Sequence, residues 1–195
     1  MDSVRERKKA ETRSRLAAAA AELILAGEPD GATVRAISEH AGVSTRTFHN
    51  YFTCREEALF HFVAEVVAAW TAQIESVPAQ LGARKAMHVA TMNMFNQPEN
   101  DPRYPANLTL LGEHLAHVSG AENRRRAYEL YAPLRAAMVS RNGDELSEME
   151  AQVLIDAVIA AVGAVLTWSQ LGLLGADENF VTAADQALTV ICRER

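Results

Sequence analysis

Apolar residues recur at helical spacing along almost the whole chain, and no segment alternates apolar and polar residues over the length of a strand. In the first helix, expected over about residues 5–26, the apolar stripe includes Leu16, Ala20 and Ile24. Gly27 and the sequence EPDG after it supply helix-stop and turn chemistry. The pattern predicts an all-α protein.

Two short helices are expected next, over 33–40 and 44–50. Thr33 and Ser44 stand at their starts, and both have side chains that cap the amino end of a helix. Gly42 breaks the first of them, because only glycine takes a left-handed backbone conformation without steric cost. Two short helices joined by a glycine-containing turn are typical of a helix-turn-helix.

The rest of the chain is also predicted to be helical. A long helix starts near Thr53, which has capping-box spacing to Glu56. Cys54 and Glu57 have the same spacing, but a thiol caps poorly, so Thr53 is the expected cap. Pro133 falls inside a later helix and should kink or break it, because proline lacks the backbone N–H. The later helices are expected over about 84–95, 106–118, 122–141, 147–173 and 178–193.

Composition is that of a soluble protein, since 49% hydrophobic residues suffice for a buried core and 23% charged residues are ordinary. No apolar run reaches the ~18 residues that a membrane-spanning helix needs. The charged amino-terminal segment is not followed by a signal-peptide pattern. Cys54 and Cys192 lie far apart and provide neither a metal-binding spacing nor a disulfide framework. We therefore expect a cytoplasmic protein with no membrane partner and no cofactor.

Charge is distributed unevenly along the chain. Residues 1–55 hold nine Lys/Arg against seven Asp/Glu, a net +2, which leaves −8 for the other 140 residues of a chain whose formal net charge is −6. A mildly basic head permits local contact with a polyanion, while an acidic body keeps the rest in solution. Net charge therefore does not exclude DNA as a partner.

The second short helix is expected to carry an unusual polar face. A small core behind it would consist of Ile37, Ala41, Val43 and Phe48. The outward residues would then be Thr45, Arg46, Thr47, His49 and Asn50. Arg and Asn are types that read base edges in a major groove, whereas hydroxyls, His49 and Tyr51 suit phosphate contacts. The alternative is a structural helical hairpin with a polar surface.

The segment TVRAISEHAGVSTRTFHNYFTCREEAL, residues 33–59, resembles the DNA-binding signature of the tetracycline-repressor (TetR) family. The likeness extends back into the first helix but does not cover the carboxyl-terminal body. Two positions depart from the family pattern, because Ser38 stands where Ala is usual and Cys54 where a Ser cap is usual. The matching features are Thr33, Ile37, the turn Ala41, Gly42, Val43 and Ser44, then Thr47, the pair Tyr51 and Phe52, and a basic residue before the sequence EEAL.

The resemblance implies a homodimer that binds a near-palindromic operator in double-stranded DNA and usually represses transcription. It implies an N-terminal three-helix helix-turn-helix DNA-binding domain over 1–53, with a helix from about 54 linking it to a C-terminal helical ligand-binding and dimerisation domain over 54–195. Phosphate contacts are expected from Thr33, Ser44, Thr47, Tyr51 and Arg55. Base contacts are expected from Thr45, Arg46, His49 and Asn50. A small apolar or amphipathic molecule is the implied effector.

The helix over 147–173 is apolar almost all round, so both of its faces must be buried. One face would serve its own subunit, and the other would let a second helix approach closely. With the helix over 178–193 it would form a four-helix interface in a symmetric dimer, the alternative being the core helix of a monomer. The expected interface residues are Ala157, Ala160, Ala161, Ala164 and Trp168.

An effector pocket is expected among the C-terminal helices. Methionines suit an adaptable apolar cavity, and polar-tipped residues near the bundle centre could orient a ligand, although such a set also suits an ordinary core. The candidate residues are Trp70, Met87, Met92, Phe95, Tyr104, Asn107, His114, Tyr128 and Trp168.

Nothing specific supports an enzyme. His114 and His117 have a spacing that can hold a metal ion, but no further ligands are obvious and no metal site is predicted. The sequence shows no Gly-rich phosphate loop, Ser-His-Asp group or paired-carboxylate motif. The competing hypothesis is a helical small-molecule-binding protein or enzyme whose helix-turn-helix is only structural.

Overall fold

In the computed structural model, residues 2–27, 32–117, 121–141, 146–175 and 177–193 are described, with side chains over 4–27, 32–116, 125–141, 146–175 and 177–193. This part of the chain forms ten helices and no strand, which confirms the all-α prediction. The helices are α1 (Asp2–Leu25), α2 (Val34–His40), α3 (Thr45–His49), α4 (Arg55–Ser76), α5 (Ala83–Met94), α6 (Pro105–His117), α7 (Ala121–Leu130), α8 (Ala132–Val139), α9 (Glu148–Gln170) and α10 (Phe180–Ile191).

The helices pack into two compact units. The first comprises Met1–Val66 and Leu110–Ser119, and the second comprises Val67–Thr109 and Gly120–Arg195. Because the boundaries fall inside α4 and α6, each of these helices belongs partly to both units. The sequence predicts a division after residue 53, between a DNA-binding domain and a ligand-binding and dimerisation domain. That functional division stays a prediction.

The turn between α2 and α3 follows the sequence-based expectation. The Ser44 hydroxyl accepts a hydrogen bond from the Thr47 N–H at 3.1 Å and so caps α3. Gly42 has a φ of 66°, in the left-handed region, and the N–H of Val43 donates to the Ser38 carbonyl at 2.9 Å. Gly42 and Ser44 therefore determine the direction of α3 relative to α2.

We expect Gly42→Ala to lower the free energy of unfolding by about 1–2 kcal/mol, because a Cβ is strained at this positive φ. Space is not the cause, since an added Cβ at Gly42 would have no heavy atom within 4 Å. Gly112, inside α6, also has open space but no positive φ, so Gly112→Ala should stabilise by roughly 0.5–1 kcal/mol. Urea unfolding of both variants measures this. Equal effects of the same sign would refute the assignment of strain to Gly42.

The start of α4 differs from the expected capping box. The backbone N–H and the hydroxyl of Thr53 both donate to Glu57 Oε2, at 2.7 and 2.8 Å. Glu56 instead lies 2.9 Å from Arg55 Nε. The predicted cap at Thr53 and its pairing with Glu56 are wrong, because α4 begins at Arg55, directly after Cys54. The third residue of α4 is Glu57, the position from which a carboxylate reaches back over the helix start.

The helix predicted over 122–141 is interrupted, as Pro133 led us to expect. It forms α7 and α8, which meet at Tyr131. Pro133 is the second residue of α8, where a backbone N–H has no partner within the helix and its loss costs little. The buried side chains of Leu134 and Met138 anchor α8, which packs on α9.

The second unit is organised around α9. Ser147 and Glu150 form a capping box at its start. One face of α9 is buried through Leu154, Ile155 and Val158 among others, and α10 packs along it. By length and composition α9 could also cross a membrane, but a single such helix is a weak indication, because the core helix of a soluble protein meets the same criteria.

Candidate DNA-binding surface and effector region

α3 presents an exposed polar face that comprises Thr45, Arg46, His49 and Asn50. The side chains of Arg46 and Asn50 make no hydrogen bond or ion pair within the described part of the chain. Their donors and acceptors are therefore available to another molecule. This exposure fits the outward face expected from the sequence, and its contact with DNA stays a prediction.

A small apolar core lies behind this face. Ile37 and Phe48 are fully buried, and Ala41 is 5% exposed. Val43 is only half-buried, so it borders the core rather than completing it. Ser38, the departure from the family pattern, is buried, and its hydroxyl donates to the Val34 carbonyl at 2.7 Å. Because that hydroxyl is satisfied, close packing tolerates it.

The hydroxyl groups expected to contact phosphates lie at helix starts. The Thr33 oxygen accepts from the Ala36 N–H at 3.1 Å, and the Ser44 and Thr47 hydroxyl oxygens lie 2.9 Å apart. A hydroxyl that accepts from the backbone retains its own O–H as a donor. Thr33 and Ser44 are exposed and Thr47 is half-exposed. One O–H of the Ser44 and Thr47 pair donates to the other, so the Thr33 O–H and the remaining O–H of this pair can donate to an anionic oxygen while Thr33 and Ser44 keep their capping role.

Tyr51 and Arg55 complete the expected phosphate set and are both half-buried. Arg55 Nε lies 2.9 Å from a Glu56 carboxylate oxygen. A phosphate bound by Arg55 would therefore share the guanidinium with this carboxylate. In the free protein the positive charge of Arg55 is therefore partly balanced by the carboxylate of Glu56.

Sequence reasoning missed the contacts by which α1 supports this surface. The Arg13 guanidinium lies 5.2 Å from the centre of the Phe52 ring, and Phe52 lies 5.8 Å from Phe48. The Ser14 hydroxyl donates to the Glu65 carboxylate on α4. A signal was present, because Arg13 stands three residues before Leu16, on the apolar stripe of α1.

In the effector region, the structure brings together Phe95 and Tyr104 from the candidate set with Phe180. Their ring centres lie 5.5 Å (Phe95 to Tyr104), 5.8 Å (Phe95 to Phe180) and 6.1 Å (Tyr104 to Phe180) apart. Phe180 was not among the effector candidates expected from the sequence. Its position as an aromatic residue directly after Asn179, the cap of α10, could have indicated it. Burial, and then the charge of Glu99, raise the pKa of Tyr104 above its usual value, so its hydroxyl stays a neutral donor.

Trp70 and Met87 are buried in the same unit, and Met92 is half-buried. The Trp70 indole N–H is buried without a hydrogen-bond partner in the described part of the chain. An unpaired buried donor costs about 1–3 kcal/mol, so a ligand that brings an acceptor to it would gain affinity.

The other four effector candidates differ from this buried group. The Asn107 side-chain amide donates to two carbonyls of the preceding loop, at 2.9 and 2.8 Å. His114 is half-buried and falls in the first unit. Tyr128 is 48% exposed and Trp168 is 57% exposed. None of these four is a buried side chain with free hydrogen-bonding groups in the second unit.

The face of α9 opposite its buried side is apolar and uncovered. Residues at spacings of three or four share one side of a helix. An exposed apolar stripe of this kind usually marks an interface. We call this stripe the outer α9 face. Its large exposed residues are Met149 (74% exposed), Val153 (61%), Trp168 (57%) and Leu171 (66%). Its small exposed residues are Ala160 and Ala164, and the half-buried Ala157 and Ala161 lie at its edge.

No group of three potential metal ligands occurs among the side chains that the structure describes, and the side chain of His117 lies outside them. Both cysteines are free, Cys54 exposed and Cys192 buried. Burial raises the pKa of the Cys192 thiol to about 11, so this thiol stays protonated and unreactive near neutral pH.

Comparisons with known proteins agree with these features. The family model described as bacterial regulatory proteins, tetR family, matches residues 16–61, which include α2, α3 and their turn. TcmR, an HTH-type transcriptional regulator from Streptomyces glaucescens, is 29% identical over 170 residues, which cover 84% of this chain and 75% of that protein.

Solved structures share the fold over nearly the whole chain. The fatty acid degradation regulator FadR from Bacillus halodurans superposes with a TM-score of 0.65 at 16% identity, covering 93% of this chain and 94% of that one. A tetR-family transcriptional regulator from Streptomyces coelicolor superposes with a TM-score of 0.61 at 14% identity, covering 93% and 78%. At these identities the likeness concerns the fold alone.

Proposed function

Because the chain belongs to the TetR family of DNA-binding transcriptional regulators, we propose that it is a cytoplasmic homodimeric repressor released from its operator by a small, largely apolar effector. Its relatives are regulators, and the proposal includes no catalytic activity. The observation that carries it is the α3 face, where Arg46, His49 and Asn50 are exposed above a core closed by Phe48.

The proposed recognition follows from the residue types on that face. Arg46 would donate to guanine O6 and N7, and Asn50 would pair with an adenine edge, as these side chains do in a major groove. Thr33, Ser44, Thr47, Tyr51 and Arg55 would hold phosphates and set the register. Thr45 and His49 would complete the base-reading set.

The outer α9 face supports the homodimer. Burying its exposed apolar side chains against a second copy would remove them from water, at about 25 cal/mol per Å² of apolar surface. Small side chains at Ala160 and Ala164 would let the two α9 helices approach closely. A dimer also has a purpose, because two recognition helices can then reach half-sites about 34–36 Å apart.

Selection of bound sequences from random duplex DNA by the purified protein tests the proposal. A two-fold symmetric sequence should be enriched, with half-site centres about one helical turn apart or a multiple of it. Enrichment of no sequence at all would favour the alternative in which the helix-turn-helix is only structural.

The effector is proposed to bind in the second unit, where Trp70, Met87 and Tyr104 are all buried. The buried, unpaired indole N–H of Trp70 favours a ligand that combines an apolar body with a hydrogen-bond acceptor. FadR from Bacillus halodurans is a fatty acid degradation regulator. An amphipathic acyl compound would combine the apolar body and the hydrogen-bond acceptor that the Trp70 site favours. By preferring the state that does not fit DNA, such a ligand would lower operator affinity.

In a Trp168→Phe protein, where Trp70 is the remaining tryptophan, compounds that release operator DNA should also change the indole emission. A matched compound that lacks the acceptor should bind more weakly, because the Trp70 N–H would stay unpaired. Fluorescence titration alongside DNA-release measurements checks both points. Compounds that release DNA and leave Trp70 emission unchanged would place the effector elsewhere.

A further inference from the structure

Arg141, the second residue after α8, binds the carboxyl end of α4. Its Nη1 donates to the Ile74 carbonyl at 2.6 Å, and its Nη2 donates to the carbonyls of Val77 and Pro78 at 2.9 and 2.6 Å. Its Nε donates to the Leu81 carbonyl at 3.2 Å. One guanidinium thus holds the last turn of α4 and the turn that follows.

The chemistry of this contact is specific. The last carbonyls of a helix have no partner within it and carry partial negative charge, so a cation is favourable there. A planar guanidinium can donate to several carbonyls at once, which an ammonium group cannot do in a fixed geometry. In the described part of the chain Arg141 has no carboxylate within ion-pair distance, and the partners of its guanidinium there are the four carbonyls at this helix end.

α8 is itself fixed to the neighbouring helices. Arg135 is 6% exposed, and its Nη1 donates to the Tyr128 carbonyl on α7 at 2.8 Å and to the Gln152 side chain on α9 at 2.7 Å. A displacement of α7 or α9 would therefore carry α8 with it. Through Arg141, α8 would in turn move the end of α4.

The other end of α4 lies in the first unit. The helix runs from Arg55 to Ser76, and its residues up to Val66 belong to the unit that contains α3. A helix transmits displacement along its length because each turn is hydrogen-bonded to the next. The carboxyl end of α4 is therefore a place where the state of the second unit can reach the DNA-binding helices.

We propose that Arg141 is a positioning residue that ties α4 to α8 and so couples the second unit to operator binding. This inference rests on the proposed function, since it concerns how effector binding and operator binding of that regulator are coupled. Arg141 itself would touch neither DNA nor effector. Its loss should uncouple the units while leaving the α3 face intact.

The test uses linkage, which requires that operator binding changes the second unit if that unit affects operator binding. Amide hydrogen exchange is measured by mass spectrometry on the full-length protein, with and without the selected operator duplex, in peptides covering 74–82 and 132–141. In the wild type, operator should slow exchange there by about fivefold or more. In Arg141→Met the slowing should fall below about twofold, with operator affinity within about threefold of wild type.

Two further variants make the result interpretable. Arg125→Met removes an exposed arginine of α7 that pairs with Glu129 at 3.0 Å, and it should keep the wild-type slowing. Arg141→Lys keeps the charge without the planar fork, so it should retain only part of the slowing, and it carries the test if Arg141→Met does not fold.

Full operator-induced slowing in Arg141→Met or in Arg141→Lys would overturn the inference. So would a wild-type protein that binds operator with no change in these peptides. A wild type that binds no operator would overturn the proposed function and this inference with it.

Discussion

Ala164→Glu should convert the dimer into monomers and lower operator affinity by about 100-fold or more, because a monomer loses the avidity of two linked half-site contacts. Ala164 is exposed on the outer α9 face, one turn from both Ala160 and Trp168. In a monomer the new carboxylate would remain in water. In a dimer it would be buried close to its copy, and the burial of unpaired like charges is strongly unfavourable.

The matched control is Ala136→Glu, which adds the same charge at an exposed alanine of another helix, α8. Sedimentation velocity reports the oligomeric state, and fluorescence anisotropy with the selected operator reports affinity. The control should remain a dimer with wild-type affinity. A dimeric Ala164→Glu protein would show that subunits associate through another surface.

Arg46→Ala should cost about 1–3 kcal/mol at each half-site, and therefore about 2–6 kcal/mol for a symmetric operator, since the dimer presents the residue twice. The loss should also relax the base preference at one position of each half-site. The side chain is exposed and makes no hydrogen bond or ion pair within the described residues, so its removal should leave the fold unchanged.

Arg55→Ala is the informative comparison for Arg46→Ala. As a phosphate contact it should weaken binding to all sequences about equally and reduce the salt slope by about one per site. Repeating the sequence selection with each variant distinguishes the two roles. Unchanged base preference in Arg46→Ala would remove that residue from the base-reading set.

Much of the fold could be predicted because the informative signals are local. Thr33, Ser44 and Gly42 act through their own backbone neighbours, so their types and spacing sufficed to locate α2, α3 and the turn. Pro133 likewise interrupts its helix because proline lacks the backbone N–H, a property that is known from the residue type alone. The start of α4 was assigned to Thr53 and Glu56, whereas the helix begins directly after Cys54 and has Glu57 as its third residue. The sequence shows both spacings, and only the position of the first turn selects between them.

The long-range contacts could not be predicted in the same way. Arg141 binds carbonyls more than sixty residues away, and nothing in its neighbourhood distinguishes it from a solvated arginine. The exposure of Trp168 depends on which face of α9 the rest of the unit covers, a choice that an all-round apolar pattern leaves open. The contact of Asn107 with an effector stays a prediction, but the two hydrogen bonds by which its amide closes the loop before α6 could not be predicted from the sequence.

The most direct test of the central claim is operator affinity measured by fluorescence anisotropy between about 50 and 200 mM salt, for the selected palindrome and for a shuffled duplex of the same composition. We predict that the logarithm of the affinity falls linearly and steeply with the logarithm of salt concentration. We also predict that the palindrome binds at least about 1,000-fold more tightly than the shuffled duplex. Equal affinity for the two duplexes, or no binding to either at the lowest salt, would contradict the account.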